Sequence, residues 1–475
     1  MTRRATAWTF AITAIALFMV SLDNLVVTTA LPVIRRDLGA SLQDLEWMVN
    51  AYTLTFAVLL LTGAALGDRF GRRRLFLIGL TIFTVGSAAA ALAPTSSALI
   101  VARAVQGLGG AIVTPLTLTI LSAAVRPERR ALALGAWGGV GGLAIAIGPL
   151  VGGAITQGVN WHWIFWLNVP IGIVAVALAA VRLQETRGPE GRLDLGGLAL
   201  ASASLLGLVW GVIHGNDRGW TDPQIVLTIG GGLAFLAAFV AWEIRSDHPM
   251  LPLHLFRSRA FAAANTVSLL MYFGMFGSIF LLSQFFQNVQ GYNPFEAGLR
   301  VLPWTAMPAF VAPLAGALTG RIGARPILVA GLTLMSIGLG WLAAIISPTT
   351  PYAAIVPAFV VSGIGMGLFF APIANVVLSA VRPEEEGKAS GANNAIREVG
   401  GVFGVAALAA VFSANGSYAS AQTYVAGLVP AVAVGAAVVA ASAVVALLIP
   451  NRGAMRGALR VAGRREVGAE GDLAM

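Results

Sequence analysis

Four ionisable side chains lie inside long apolar stretches of this sequence: Asp23, Arg103, Arg397 and Glu398. A charge in the middle of such a stretch is costly and therefore marks a functional candidate. Arginine keeps its proton at physiological pH, whereas a carboxylic acid can gain and lose one. Burial favours the neutral acid, and a neighbouring cation favours the carboxylate. A buried carboxyl group beside an arginine can therefore load and unload a proton as its surroundings change.

Asp23 and Arg103 are expected to lie at similar depth. Asp23 precedes the end of the first apolar stretch by about eight residues, and Arg103 follows the start of the fourth by about five. At about 1.5 Å per helical residue, these positions are ~12 Å and ~8 Å from the same end of a helical bundle. Where their two helices are neighbours, the two residues form a proton-coupling pair. The alternative is a static ion pair that holds two helices together.

Glu398 lies in the thirteenth apolar stretch, next to Arg397. Consecutive helical residues point about 100° apart, so these two side chains do not face each other. Asn394 and Glu398 are four residues apart and share a helical face. Glu398 is either a second proton or cation site, or a gate residue that pairs with the basic loop after the second stretch, and the sequence leaves both interpretations open.

The composition requires a membrane-embedded scaffold for these residues. Hydrophobic residues make up 57% of the 475-residue chain and charged residues 11%, against about 25% charged residues in a soluble domain. A helix needs about 20 apolar residues to cross a bilayer. Fourteen runs satisfy this requirement, near residues 9–31, 47–66, 75–93, 98–124, 131–155, 163–182, 194–214, 223–243, 260–283, 297–319, 327–346, 352–380, 388–412 and 425–449. The predicted fold is an all-α polytopic membrane protein.

Several chemistries are excluded or lack a motif. The chain has no cysteine, which excludes disulfides, thiolate zinc sites and cysteine nucleophiles. Its one lysine, Lys388, precedes Ala389, whereas a nucleotide-binding P-loop needs Ser or Thr there. The four histidines show no metal-binding spacing. We therefore predict no enzyme activity, no metal, no bound cofactor and no nucleotide, and a proton gradient as the energy source.

The positive charges are distributed unevenly over the loops. With both termini in the cytoplasm, 24 of the 30 lysines and arginines fall on the inside, four on the outside and two within spans. This asymmetry follows the positive-inside rule and accounts for the net charge of +9 without a nucleic-acid partner. We predict a multi-pass protein of a bacterial plasma membrane, with the lipid bilayer as its surroundings.

An internal repeat divides the chain into two similar halves. VRPE occurs at 125–128 and again at 381–384, and segment 68–80 resembles segment 320–332. Such repeats are typical of transporters built from two helical bundles. The predicted domains are a six-span bundle, two inserted spans, a second six-span bundle and a basic cytoplasmic tail, at residues 1–185, 194–243, 255–450 and 451–475.

Five segments resemble one known family. They read LDNLVVTTALP at 22–32, LGDRFGRRR at 66–74, RAVQGLGGA at 103–111, AIAIGPLVGG at 144–153 and WHWIFWLNVPIG at 161–172. Together they resemble the fourteen-span drug:proton antiporter family of the major facilitator superfamily. The resemblance implies two pseudo-symmetric six-helix bundles with two additional central helices.

The resemblance also suggests roles for the charged loop after the second span. Asp68, Arg69, Gly71 and Arg72 match the superfamily's loop motif. The match implies a gate latch in which Asp68 pairs across the interface between the bundles and releases during switching. The alternative for the basic residues is anchoring on the cytoplasmic side.

Gly148, Pro149, Gly152 and Gly153 match the family's antiporter motif in the fifth span. The glycines remove side chains along a helix face, and the proline removes a backbone hydrogen bond. The result is a closely packed, bendable seam, which the resemblance associates with antiport. Ordinary packing of small residues is the alternative.

Polar side chains within the spans are candidates for the substrate cavity, although each could equally satisfy a contact between helices. They are Asn24, Tyr52, Gln106, Asn375 and Asn394. The predicted function is proton-coupled efflux of small amphipathic drugs or antibiotics by alternating access. The alternatives are a dedicated exporter of one endogenous metabolite and a non-pumping lipid-handling or sensory protein on the same scaffold.

Overall fold

The computed structural model describes residues 3–188, 193–382 and 385–450, and the predicted basic tail at 451–475 lies outside this part. Every regular element in the described residues is helical. The α-helices are α1 Arg3–Leu38, α2 Leu42–Phe70, α3 Arg72–Ala91, α4 Ser96–Ala124, α5 Pro127–Gly158, α6 Trp163–Trp166, α7 Asn168–Arg182, α8 Leu195–Arg218, α9 Pro223–Arg245, α10 Arg259–Asn288, α11 Pro294–Thr305, α12 Met307–Ile322, α13 Ala324–Ile345, α14 Tyr352–Ser379, α15 Glu386–Asn415 and α16 Ala421–Ala446. A short 3-10 helix, Leu253–Arg257, precedes α10.

The helices are long enough to span a membrane. Within the described residues, 13 spans pass a test of length and hydropathy, or 14 if two bent segments of α5 form one span. Helices α6 and α7 together form one span, and α11 and α12 together form another. Each span lies over one of the predicted apolar runs, so the all-helical membrane fold is confirmed, and the exact number of spans stays a prediction.

Short polar caps set the ends of these helices. Ser41, Asn293 and Ser420 each start a helix with a reciprocal capping box. Such a box satisfies backbone N–H groups that have no partner within the helix. Gly71 and Gly323, at φ 110° and 90°, turn the chain between consecutive spans. Only glycine adopts this backbone conformation at low cost.

The helices pack as two similar sets. In the N-terminal set, α1–α7, the contacting pairs include α1 with α5, α2 with α4, α3 with α4 and α3 with α7. In the C-terminal set, α10–α16, the corresponding pairs are α10 with α15, α12 with α14, α13 with α14 and α13 with α16. The helices α8 and α9 pair with each other, and α8 also contacts α2 and α15. The exact domain boundaries remain a prediction.

The two sets share an apolar core mainly at one end of the molecule. We call this end the α1–α2 end, where α1 ends and α2 begins, and the other the α2–α3 end. Val26, Leu31, Leu45 and Trp161, all near the α1–α2 end, belong to one apolar core with the C-terminal set. The apolar residues of the N-terminal set near the α2–α3 end form a separate core. The main packing between the sets therefore lies at the α1–α2 end.

Hydrogen bonds between the sets support this description. Ser283 of α10 donates to the carbonyl of Thr28 on α1 at 3.2 Å. Gln287 of α10 donates to the carbonyl of Thr29 at 2.7 Å. These bonds join the C-terminal third of α1 to the last turns of α10, so the two sets are in direct contact toward the α1–α2 end.

Candidate functional site

A buried ion pair joins Asp23 of α1 to Arg103 of α4. The side chain of Arg103 is 1% exposed and that of Asp23 is 0% exposed, and Nη1 of the arginine donates to Oδ2 of the aspartate. The arginine also donates from Nη1 to Oε1 of Gln106 at 2.9 Å and from Nε to the Met48 carbonyl at 3.2 Å. The structure therefore brings together the two residues that the depth calculation pairs.

The second oxygen of Asp23 has donors of its own. Oδ1 accepts hydrogen bonds from Nε2 of Gln106 at 3.1 Å and from Nδ2 of Asn168 at 2.8 Å. Both amides also donate to Oγ of Ser87, at 2.8 and 3.0 Å. We call Asp23, Ser87, Arg103, Gln106 and Asn168 the Asp23 network. The network connects α1, α3, α4 and α7 inside a largely apolar helical bundle.

Tyr52 of α2 covers the charged pair. The guanidinium carbon of Arg103 lies 4.3 Å from the centre of the Tyr52 ring, and the Tyr52 hydroxyl donates to the Val20 carbonyl at 3.2 Å. A desolvated cation above an aromatic face gains roughly 2 kcal/mol. A buried ion pair is stable only when its remaining polar atoms are satisfied, and here the carboxylate has three donors. Both carboxyl oxygens of Asp23 therefore have hydrogen-bond donors in this conformation.

One member of the network, Ser87, is not a candidate at the sequence level, because it lies in an Ala- and Gly-rich stretch without a motif. Asn168 is recognisable in the sequence as a polar side chain within a span, but its contact with Asp23 is not. Ser87 is completely buried and donates to the carbonyl of Phe165 at 3.2 Å. Their role depends on the approach of α3 and α7 to α1, which spacing along the chain does not reveal.

Glu398 of α15 lies apart from the Asp23 network. It is partly buried, and none of the ion pairs in the described part of the chain includes it. The expected pairing with the basic loop after α2 is therefore absent from this conformation. Glu398 is close enough to Tyr52 and Tyr272 for its charge to act on both hydroxyls. This position lies between the two sets.

Arg397, the neighbour of Glu398 on α15, contacts an amide and three aromatic rings. Its Nη1 donates to Oδ1 of Asn394 at 3.0 Å. The guanidinium lies 4.9 Å from the centre of the Tyr272 ring and 5.8 Å from Phe369 and Phe370. Asn394 therefore contacts Arg397 rather than Glu398, although it shares a helical face with Glu398.

The loop motif after α2 binds within its own helix set. Asp68 accepts a hydrogen bond from Nε of Arg72 at 2.8 Å, and its backbone carbonyl accepts one from the N–H of Gly188 at 3.1 Å. In this conformation Asp68 pairs within its own helix set, because Arg72, four residues later on the next helix, is a near cation, and the latch across the interface stays a prediction. Arg69 is exposed, and its guanidinium lies 5.2 Å from the Phe70 ring.

A carboxylate from the end of α7 caps α3. Oε1 and Oε2 of Glu185 accept the backbone N–H groups of Arg73 and Arg74 at 3.0 and 3.2 Å. A negative charge at a helix N-terminus is stabilising. Any side chain on Gly71 would also collide with this carboxylate. The loop is therefore fixed to the segment after α7.

The glycine motif of α5 lies between the two helix sets. Side chains on Gly148 or Gly152 would meet Leu25 and the Val26 carbonyl of α1. A side chain on Gly153 would instead collide with the Pro294 carbonyl of α11. In the reverse direction, a side chain on Gly298 of α11 would collide with the Pro149 carbonyl. The predicted close-packed seam is present, and it joins α5 to the opposite set.

The remaining cavity candidates separate into two places. Asn24, Tyr52 and Gln106 lie beside Asp23, and Oδ1 of Asn24 has no hydrogen-bond partner. Asn375 instead lines a cavity of about 410 Å³ between α12, α13 and α14, together with Thr319 and Ser379. The structure therefore does not bring Asn375 together with the other candidates.

Comparison with known proteins identifies the scaffold. Residues 13–405 match the Major Facilitator Superfamily. The chain belongs to the major facilitator superfamily. This facilitator is similar to the multidrug resistance protein Stp of Mycobacterium tuberculosis strain CDC 1551, with 38% identity over 85% of this chain and 75% of that one. It is also similar to the tetracenomycin C resistance and export protein of Streptomyces glaucescens, at 35% identity over the same shares.

A solved structure shares the fold of this facilitator. A POT family transporter in complex with a thioalcohol-conjugated peptide superimposes with a TM-score of 0.70 at 14% sequence identity. The match covers 94% of this chain and 96% of that one. The family match and the many apolar helices make this chain a multi-pass membrane protein of a transporter superfamily.

Proposed function

We propose that this facilitator is a proton-coupled antiporter that exports small amphipathic drugs or antibiotics across a bacterial plasma membrane. The single observation that carries the proposal is the Asp23 network. Asp23 is a carboxylate with three hydrogen-bond donors, buried near the middle of four spans. A charge at such a position costs free energy, which indicates that the charge has a function. The relatives named for drug resistance support the class of substrate.

Proton exchange at Asp23 follows from the arrangement of its donors. Arg103 favours the charged form, whereas burial favours the neutral one. Protonation removes one acceptor position and weakens the attraction to Arg103, so α1 and α4 lose part of what holds them together. Conversely, separation of these helices removes donors and makes proton uptake easier. The proton state of Asp23 is therefore linked to the packing of the N-terminal set.

Alternating access supplies the route. Helices α1 and α10 and the α5–α11 seam join the two sets toward the α1–α2 end, and the charge distribution of the loops assigns this end to the outside. In this proposal, closure of the outer end leaves the cytoplasmic side as the route by which substrate enters. Rocking of the two sets about the central site opens the outer end. A proton arriving from outside neutralises Asp23 and helps to displace the substrate.

The proposed substrate site lies between the two sets. Asn24, Tyr52 and Gln106 form its wall on the N-terminal side. Asn394, Arg397 and Glu398 form its wall on the C-terminal side, where Glu398 acts as a second proton site. Asp68 acts as a latch whose bond to Arg72 is exchanged during switching.

Reconstitution tests this function directly. Purified protein in liposomes that contain a pH-sensitive dye is given ethidium, a cationic probe, and a panel of neutral and acidic antibiotics. A substrate-dependent proton flux that disappears in Asp23→Asn supports the proposal. Asp37→Asn is the matched control, because Asp37 lies on the same helix, is exposed and accepts only the Trp161 indole at 2.8 Å among the described contacts. Equal proton flux in both variants would contradict a coupling role for Asp23.

A dedicated exporter of one metabolite is the second candidate, because one relative is named for a single compound, tetracenomycin C. A drug-susceptibility panel in a bacterial strain without its own efflux pumps separates the two. Resistance to several unrelated compounds supports multidrug efflux. Resistance to one compound alone supports the dedicated exporter.

A further inference from the structure

A second buried carboxyl group lies at the α1–α2 end of the molecule, outside the Asp23 network. Glu46 is in the second turn of α2 and is 2% exposed. Its Oε2 has no hydrogen-bond partner. No basic side chain of the described residues forms an ion pair with it. Buried polar groups nearly always have a partner, so this exception requires a physical explanation.

The surroundings of Glu46 do not favour a charge. The nearest charged group on α8 is Asp217, a carboxylate that repels it and is itself bound by Gln43. Arg218, next to Asp217, donates to Gln224 on α9. On α2 itself, Asp44 is engaged in the helix cap with Ser41. A carboxylate without donors and beside a like charge is unfavourable in a buried site.

The polar face continues one turn deeper. Asn50 lies four residues after Glu46, which places both side chains on one face of α2. Asn50 is completely buried, and neither its Nδ2 nor its Oδ1 has a hydrogen-bond partner. Glu46 and Asn50 are therefore two unsatisfied polar side chains, one helical turn apart on the same face. They form a path that water can follow once the neighbouring elements separate.

The opposite helix set supplies part of the surroundings of Glu46, beside α8. Leu45 and Met48, on either side of Glu46 in sequence, belong to the apolar core that includes the C-terminal set. Glu46 is close enough to Tyr418, in the loop between α15 and α16, for its charge to act on that hydroxyl. The Arg35 guanidinium lies 3.8 Å from the Tyr418 ring centre, and the Tyr418 hydroxyl donates to Gln284 of α10 at 2.7 Å. Closure between the two sets therefore contributes to the burial of Glu46.

We propose that Glu46 is a further proton-binding site, loaded from the solution at the α1–α2 end, and that it must be neutral for this end to close. Opening of the end brings water to the carboxyl group, which then ionises. Closing requires one proton from the same solution, bound to the carboxylate oxygen. The proton returns to the side from which it came, so it controls closure without adding to the number of protons transported. The proposal rests on the alternating access of the proposed function.

A distance measurement between labelled positions tests the proposal without substrate. The chain has no cysteine, so Ser97→Cys and Gln422→Cys, both exposed at the α1–α2 end, accept two spin labels selectively. The parent carries Asp23→Asn to remove the titration of that residue. We expect the ratio of open to closed α1–α2 ends to rise with pH, by up to about tenfold per pH unit for one proton.

Glu46→Gln is expected to keep this end closed and to flatten the pH dependence. Glu46→Leu is a second neutral variant with the same expectation if the amide disturbs folding. Glu296→Gln is the matched control, because the Glu296 carboxyl lies at the same end and accepts the Asn293 backbone N–H at 3.1 Å. It is expected to behave as the parent does.

The outcomes separate this proposal from the proposed function. A neutral Glu46 variant that folds and keeps the pH dependence of its parent overturns the proton site at Glu46 and leaves the exporter intact. An α1–α2 end that stays closed at every pH in the parent also overturns the proton site at Glu46, whereas the exporter itself is tested by the substrate-dependent proton flux.

Discussion

Asp23 and Glu46 are buried carboxyl groups of the same helix set, and they differ in what surrounds them. Asp23 accepts hydrogen bonds from Arg103, Gln106 and Asn168. Glu46 has an oxygen without any partner. The first site stabilises a charge and the second disfavours one, although both are almost completely inaccessible. Burial alone therefore does not define the chemistry of an acid, because the number of donors determines which proton state fits.

Removal of Arg103 is expected to have the largest effect on this contrast. Arg103→Ala leaves the Asp23 carboxylate buried without its cation, which should cost about 3–5 kcal/mol of unfolding free energy. Thermal unfolding in detergent measures the loss. The double variant with Asp23→Asn should recover a large part of it, since no uncompensated charge remains. Additive losses in the double variant would show that the two residues do not interact.

Removal of one neutral donor should have an intermediate effect. Asn168→Ala takes away the 2.8 Å bond to Asp23 and the bond to Ser87. Hydrogen bonds to charged groups contribute about 1.5–3 kcal/mol, so we expect a loss of that order. The measurement is the same unfolding transition at several pH values. An unchanged transition would mean that two donors suffice for the carboxylate.

Ser87 should contribute less, because it holds the two amides and does not contact the charge. Ser87→Ala is expected to cost about 0.5–1.5 kcal/mol, the range of a neutral hydrogen bond. In transport assays it should slow the proton flux less than Asn168→Ala does. A reversed order of the two variants would place the serine closer to the proton path than its contacts indicate.

Replacement of Glu46 by methionine should have the smallest effect on stability. The side chain has no ion pair to lose, and an apolar residue of similar volume can be neutral or stabilising at such a site. We expect a change within about 1 kcal/mol in the unfolding free energy. A loss as large as that of Arg103→Ala would reveal a partner for Glu46 and remove the contrast.

The sequence predicts the central ion pair because helical rise is regular. Residue counts from span ends place Asp23 and Arg103 at similar depth without any knowledge of packing. The same reasoning cannot identify Ser87, because a serine in an apolar span has no distinguishing pattern. Depth is readable from one sequence, whereas the direction in which a side chain points depends on how the spans pack.

The loop after α2 shows a different limit. The motif identifies Asp68 as unusual in a basic loop, but the pattern does not show which cation is nearest. In the structure Arg72 is that cation, and Glu185 from beyond α7 binds the start of α3. Glu46 was missed for a related reason. An acid near the end of an apolar run resembles a solvent-facing residue until the opposite helix set covers it.

The seam between α5 and α11 limits which substitutions the protein can accept. Gly153 of α5 faces the Pro294 carbonyl of α11, and Gly298 of α11 faces the Pro149 carbonyl of α5. Each helix therefore contributes one glycine and one backbone carbonyl to the seam. A larger residue at Gly153 or Gly298 would push the two helices apart. No change of residue at Pro149 or Pro294 compensates for it, because the obstacle is a backbone carbonyl that every residue carries.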